Sequence, residues 1–216
     1  MVKRIFDLLA ALVGLVVFSP LLLVVGLLIK LDSPGPVFYR GDRIGKDGVP
    51  FKMFKFRTMV VNADRMGSAL THRGDPRVTR MGRLLRKWKI DEIPQLINVV
   101  RGEMSFVGPR PEAPGYVKYY TPEQREVLRV RPGITGPAQI RFRHEETLLS
   151  RYTDWEEAYI TIIMPQKLAI DLEYVRNHTF FRDLLLIAQT VLAVFTADRT
   201  TEDVASVPEM STTQDV

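Results

Sequence analysis

The chain has no cysteine, which excludes disulfides, thiolate metal sites and a cysteine nucleophile, and assigns the protein to no particular compartment. Its three histidines, His72, His144 and His178, are scattered without ligand spacing, so a zinc centre is not expected. No internal repeat is present, which removes repeat architectures. A second long apolar run is also missing, so the protein is not a bundle of membrane spans. What remains is a chain of 216 residues, 46% apolar and 25% charged. That is ordinary for a folded protein, rules out wholesale disorder, and is long enough to bury a core as one domain or a domain with appendages.

The one apolar run stands near the N-terminus. Leu8 to Ile29 are 22 consecutive uncharged residues, interrupted by Gly14, Ser19, Pro20 and Gly26. As a helix they would extend about 33 Å, enough for a hydrocarbon core of ~30 Å. Lys3-Arg4 precede the run as in a secretory signal, but signal cores are only ~7–15 residues long and no small-x-small cleavage site follows. A membrane span is the simplest alternative, and two details argue against a straight one. Pro20 removes a helical bond at a cost of ~3 kcal/mol, with the Ser19 hydroxyl available to occupy a freed carbonyl. In addition, basic residues flank both ends, Lys3 and Arg4 on one side and Lys30, Arg40, Arg43 and Lys46 on the other. Cytoplasmic flanks favour Lys and Arg, so a span would misplace one flank, whereas a helix that enters, turns at Ser19-Pro20 and returns places both correctly.

Asp32-Ser33-Pro34-Gly35-Pro36 ends this element. Val37 to Tyr39 and Phe51 to Phe56 read as strands of a hairpin around the Gly/Asp-containing stretch Gly41 to Gly48. Helical patterns follow over Ala63 to Ala69, Thr79 to Lys89 and Ile93 to Val100, the last with Pro94 in its first turn. Beyond Pro111 the chain reads as short helices and loops, with a turn-rich segment at Arg131 to Gly136. Two helices follow, near Trp155 to Ile163 and Gln166 to Asn177. The apolar stretch Leu184 to Ala197 is too short to span and is expected to pack in the core or at an interface. The polar tail 198–216 is expected to be disordered.

The net charge is +5, with the basic residues concentrated between Arg40 and Arg143, a distribution suited to a phosphate-rich partner. From Arg73 to Lys89 there are seven Lys or Arg residues and one acid. Two adjacent carboxylates, Asp91-Glu92, come directly afterwards, and Gly108-Pro109-Arg110-Pro111 lies further on. Cations around a carboxylate pair suit a site handling phosphates and a metal. At the start of the Ile93 helix the pair would also lie beside unpaired N–H groups that attract anions. Cations placed to neutralise phosphate oxygens beside this pair are Arg86 and Arg110 first, followed by Lys55 and Arg57. Asp75 with Arg77 suits either a tie to the site or a loop salt bridge. Gln139 suits structural hydrogen bonding better than contact with a nucleotide or sugar, and Trp88 reads as core or interface.

Four segments carry a resemblance: SPGPVFYR (Ser33 to Arg40), KFRTM (Lys55 to Met59), DPRVTRMGRLLRKWKIDEIPQLINVVRGEMSFVGPRPE (Asp75 to Glu112) and RPGITGPAQI (Arg131 to Ile140). With them the chain resembles the monotopic phosphoglycosyl transferases, the bacterial sugar transferase family, over residues 1 to about 195, and Ser19-Pro20 matches that family's re-entrant helix break. The resemblance implies transfer of a phospho-sugar from a UDP-sugar to undecaprenyl or another polyprenyl phosphate, with release of UMP. It implies a covalent intermediate on Asp91, and Mg2+ held at Asp91 and Glu92, with Glu92 either binding the ion or managing protons. It further implies a bacterial inner-membrane protein with its catalytic domain on the cytoplasmic face, contact with membrane lipid, a homodimer as one allowed assembly, and no nucleic acid. Departures stand at Gly41, at Pro137 and in the longer stretch from Ile140 to Lys167, so the sugar is left open. The rival is a non-catalytic basic protein on anionic lipid, which explains the anchor and the cations but not the carboxylate pair between them. The expected fold is α+β: a re-entrant membrane helix over 1–32, broken at Ser19-Pro20, a compact and mostly helical catalytic domain with a small β-hairpin over 33–197, and the tail 198–216.

Overall fold

The computed structural model describes residues 1–68, 70–72 and 74–195, so the 198–216 tail lies outside the described residues. Helix α1 runs over Val2–Asp32 and continues through Ser19-Pro20 instead of ending there. Pro20 has no N–H to give the Val16 carbonyl, and Ser19 Oγ donates to that oxygen at 2.7 Å in its place. The expected break into two helical arms is not seen: one backbone bond is exchanged for a hydroxyl, and the helix runs on. The helix is long and apolar enough to cross a membrane, and Val16, Val17 and Leu23 near its middle are exposed.

Both ends of α1 hold the same body. At the N-terminal end Asp7 is buried and accepts from Ser105 Oγ at 2.8 Å and Phe106 N at 3.2 Å. Lys3 pairs with Asp183 at 2.5 Å, and Arg4 donates to the carbonyls of Val99 and Val100. Ala11 packs here with Leu96, Val99 and Met104. At the other end Val25 and Ile29 pack against Phe56 and Leu85, and Asp32 accepts from Met81 N at 3.2 Å. An acidic group there suits the positive end of the helix whose first turn contains Met81.

Strands β1 (Phe38–Ile44) and β2 (Pro50–Phe56) form the expected antiparallel hairpin, paired from Phe38 with Phe56 to Ile44 with Pro50. The first strand is longer than the pattern indicated, and the turn correspondingly shorter. The helix expected from Ala63 is only a 3-10 turn, Ala63–Arg65, and Ala69 lies outside the described residues. Arg77 explains the difference: its guanidinium takes the carbonyls of Ala63, Ser68 and Leu70 at 2.9–3.1 Å. A helix would have bonded such carbonyls internally. Asp75 clamps Arg77 at 2.6 Å, so this pair is a loop salt bridge.

Helix α2 (Arg80–Lys87) starts at Thr79, whose Oγ1 accepts from Gly82 N at 3.0 Å. Gly82 lets the helix lie on the preceding loop: a Cβ there would stand 2.0 Å from Thr58 O. Trp88, after the helix, is 41% exposed, which removes the core half of its core-or-interface reading. Lys89 then adopts a left-handed conformation (φ 55°), and the chain enters a 3-10 segment, Ile90–Gln95, that runs into α3 (Leu96–Arg101). Asn98 ties α3 to β2, accepting from Phe54 N at 2.9 Å and donating to Lys52 O at 2.8 Å.

The segment read as turn-rich holds a strand: β4 (Gly133–Thr135) pairs in parallel with β3 (Ser105–Val107). Glycine is required at the junction, because a Cβ on Gly133 would lie 2.1 Å from Gly108 N. Helices α4 (Pro114–Val117), α5 (Pro137–Arg141), α6 (Glu145–Leu149) and α7 (Trp155–Ala158) follow, and α7 runs through a π-helical turn, Tyr159–Ile163, into α8 (Met164–Asn177). Their core centres on Tyr116, Tyr120, Leu149, Tyr159 and Leu168. The last helix, α9 (Phe180–Phe195), buries Leu186 in the core and exposes Phe181, Leu185 and Val191. The expected mostly helical α+β fold is present, with the parallel pair as an unanticipated addition.

Candidate active site

The hairpin, α2, the 3-10 segment and the residues around Arg110 enclose a cleft of about 1000 Å³. Asp91 and Glu92 lie in the first turn of the 3-10 segment, 5% and 9% exposed, and both line the cleft. Lys55 reaches them from β2, with Nζ 2.8 Å from Glu92 Oε1 and 3.9 Å from Asp91 Oδ2. Arg110 approaches from the other side, its Nη2 3.0 Å from the same Glu92 oxygen. Glu92 is thus an anion shared by two cations, one of which, Lys55, also reaches Asp91.

These contacts push the two carboxyls apart. Burial raises the Asp91 pKa, opposed by Lys55 and reinforced by Glu92. Burial would raise Glu92 too, but Arg110, Lys55 and Lys89 outweigh it and hold Glu92 well below the ordinary carboxylate range. Burial also lowers Lys55, against the pull of Glu92, while Glu92 keeps Arg110 firmly protonated. Opposite shifts in adjacent groups are a common mark of divided chemical roles.

The other residues proposed from sequence separate. Arg86 lines the cleft; its Nε donates to Thr58 Oγ1 at 3.0 Å and its Nη1 pairs with Glu146 at 2.8 Å. Arg57 is also in the wall, but its guanidinium is committed to the carbonyls of Ser33 and Pro34. There it ties the exit of α1 to the hairpin. Gln139 donates to Gly108 O at 3.3 Å, a structural bond. Ser19 and Pro20 belong to α1. Sequence reasoning missed Thr58, Asn98, Glu112, Tyr159 and Lys167. The signal available for Asn98 was an amide inside the apolar run Leu96–Val100, which needs partners when buried.

The site also fits a divalent cation. Among the described residues Asp91 Oδ1 is buried without a hydrogen-bond partner, while no three His, Cys, Asp or Glu side chains gather as a closed metal cage. Mg2+ commonly takes one or two carboxylates and completes its shell with substrate phosphates and water. Asp91 and Glu92 match that donor set.

Residues 1–197 match the bacterial sugar transferase family, and the chain belongs to that family. It is 43% identical over 199 residues to a UDP-glucose:undecaprenyl-phosphate glucose-1-phosphate transferase of Caulobacter vibrioides, covering 91% of this chain and 70% of that protein. Identity is 39% over 209 residues to the exopolysaccharide production protein ExoY of Rhizobium meliloti, covering 90% of this chain and 85% of that one. It is 38% over 200 residues to a UDP-N-acetylgalactosamine-undecaprenyl-phosphate N-acetylgalactosaminephosphotransferase of Aeromonas hydrophila, covering 90% of this chain but only 44% of that protein. The chain is therefore an enzyme, a membrane-associated phosphoglycosyl transferase, and the purely lipid-binding alternative falls.

Proposed function

We propose that the enzyme moves a sugar 1-phosphate from a UDP-sugar to undecaprenyl phosphate, releasing UMP, as the first membrane step of a glycan such as an exopolysaccharide. The observation that carries this reading is the Asp91-Glu92 pair, buried in a cleft and bracketed by Lys55 and Arg110. The names of the relatives support the donor and acceptor classes, but they differ in the sugar.

In the first step an Asp91 oxygen attacks the phosphorus that carries the sugar. An aspartyl O–P bond forms, the P–O bond to UMP breaks, and UMP leaves. In the second step an oxygen of the lipid phosphate attacks the same phosphorus, and Asp91 departs as a free carboxylate. Lys55 and Arg110 face the phosphate oxygens and offset their charge, with Arg86 in the wall as a third cation. Glu92, ionised because its pKa is held low, serves as an anchor for these cations and not as a proton carrier near neutral pH. Asp91 and Glu92 would hold Mg2+ together with the donor phosphates, and the ion would supply further charge neutralisation there.

The lipid acceptor requires the cleft to open at the bilayer surface, and we infer a re-entrant α1 in the inner membrane with the domain on the cytoplasmic face. The ties of Asp7 and Asp32 to one body support this, because a spanning helix sends its two ends to opposite faces. The absence of cysteine makes the test clean. Single cysteines introduced by Val2→Cys and Lys46→Cys should both react with a thiol reagent only from the cytoplasmic side. Labelling of either one from the periplasm refutes the re-entrant arrangement.

The function itself is tested with detergent-solubilised protein, Mg2+, undecaprenyl phosphate and a panel of UDP-sugars. UMP release that requires the lipid and selects one donor is expected. Release independent of the lipid would mean hydrolysis and would defeat the transferase reading.

A further inference from the structure

The wall of the cleft continues past Arg110 into a polar group that the scheme above leaves unused. Glu112, Glu145, Tyr159 and Lys167 all line the cleft, the last three from α6, the π-helical turn and α8. Tyr159 and Lys167 are buried. Lys167 Nζ donates to Glu145 Oε2 at 2.6 Å and to Tyr159 Oη at 3.2 Å, and lies 3.5 Å from Glu112 Oε1. The Tyr159 hydroxyl donates to that same Glu112 oxygen. Burial would raise the Glu112 pKa, but Lys167 and the Tyr159 hydroxyl outweigh it. Burial would lower Lys167, but Glu145 and Glu112 outweigh it, so carboxylate and ammonium both stay charged.

The network uses one oxygen of each carboxylate. Among the described residues Glu112 Oε2 and Glu145 Oε1 accept no hydrogen bond. An ionised carboxylate can only accept, so two open oxygens suit a ligand that brings several donors. Phosphate brings none, and two carboxylates against one ammonium leave the group net negative, which repels it. An acyl chain brings none either. A ring bearing several hydroxyls matches. Position agrees with this chemistry. Glu112 is two residues from Arg110, at most about 7 Å between Cα atoms, and the sugar is the part of the donor bonded directly to the phosphorus that Asp91 attacks. The charges of Glu112 and Glu145 reach the Arg110 guanidinium, where they add to the pull of Glu92.

We propose that Glu112 and Glu145, held in place by Lys167 and Tyr159, form a subsite that accepts hydrogen bonds from hydroxyl groups of the transferred sugar and so selects among UDP-sugars. Lys167 and Tyr159 are positioning residues, each fixing one carboxylate oxygen so that the other faces the ligand. The cations Lys55 and Arg110 then take the phosphates, and the acidic group beside them takes the uncharged ring. The inference rests on the UDP-sugar reading of the cleft.

Two readouts test it, the first independent of turnover. In an Asp91→Asn background with Mg2+, calorimetry compares the binding of UDP with that of UDP-glucose, UDP-N-acetylgalactosamine and the C4 epimer of each. Adding Glu112→Gln should weaken the tightest of the four UDP-sugars about tenfold or more, the scale of a lost hydrogen bond to a charged group, and UDP less than about threefold. Equal weakening of UDP would assign the contact to the ribose and overturn the sugar subsite, and unchanged binding of both would overturn it as well. In UMP-release kinetics with the same four donors, Glu112→Gln should shift the kcat/KM ratio of at least one pair about tenfold. A uniform loss across the panel overturns the selecting role. A parent enzyme that releases UMP from no donor defeats the proposed function instead, and the binding comparison then decides the subsite alone. Should Glu112→Gln fail to fold, Glu145→Gln removes the more exposed carboxylate of the same network and is read by the same two comparisons, with the same results expected and the same results overturning the proposal.

Discussion

Asp91→Asn is expected to lower UMP release by about four orders of magnitude or more, the scale seen when a covalent nucleophile is removed. The amide matches the carboxylate in shape, so the loss would report chemistry and not packing. The parent enzyme, given donor without lipid acceptor, should gain the mass of the phospho-sugar, and the variant should not. A second effect has the opposite sign. Burial raises the Asp91 pKa in the folded protein. A raised folded-state value gives stability that is fully present below the unfolded pKa and is lost as pH rises through the folded one. Asparagine has no such loss. In metal-free thermal melts the variant should therefore be more stable than the parent at neutral pH, and the gap should close toward the ordinary aspartate range. An inactive but more stable variant is the signature of a carboxylate held for reaction. Retained turnover would place the nucleophile elsewhere, and a variant that melts lower at neutral pH would contradict the burial cost.

Several parts of this arrangement were legible in the sequence because they depend on local rules. The uncharged run from Leu8 to Ile29, the Ser19-Pro20 step with its exchanged hydrogen bond, the hairpin around Gly48 and the helix capped by Thr79 all follow from patterns of a few residues. Asp91-Glu92 stood out by charge contrast, and Lys55 and Arg110 do meet it in space. The misses have physical causes. Three-residue strands such as β3 and β4 are too short to show an alternating pattern, and their pairing depends on glycine contacts that only the fold reveals. Arg77 overrode local helix preference by collecting carbonyls from 63, 68 and 70. Arg57 carries the right charge in the right wall but points at Ser33 and Pro34, and a sequence gives no direction to a guanidinium. Lys167 and Asp171 share a helix face with Leu168 and Leu172 close by, a spacing that signals a buried charged pair only once the face is known to be inside.

Arg110→Ala tests the electrostatic half of the scheme, and kcat/KM should fall about 10²–10³-fold, the range for losing one preorganised donor to a developing charge. The residue has two duties. Its guanidinium shares Glu92 Oε1 with Lys55, and it is among the groups that depress the Glu92 pKa. Without it Glu92 moves back toward the ordinary carboxylate range, since burial then faces less opposition. A low folded-state pKa gives stability present above the unfolded value and lost as pH falls through the folded one, so the variant should also lose acid tolerance relative to the parent. Arg110→Lys separates charge from geometry. A lysine keeps the positive charge but not the planar fork that can meet a carboxylate and a phosphate oxygen together. Partial recovery, still about tenfold or more below the parent, is expected if a second N–H contact is lost, since that is worth roughly 1–2 kcal/mol. Full recovery by lysine would reduce Arg110 to a point charge, and an alanine variant within threefold of the parent would remove it from the phosphate site.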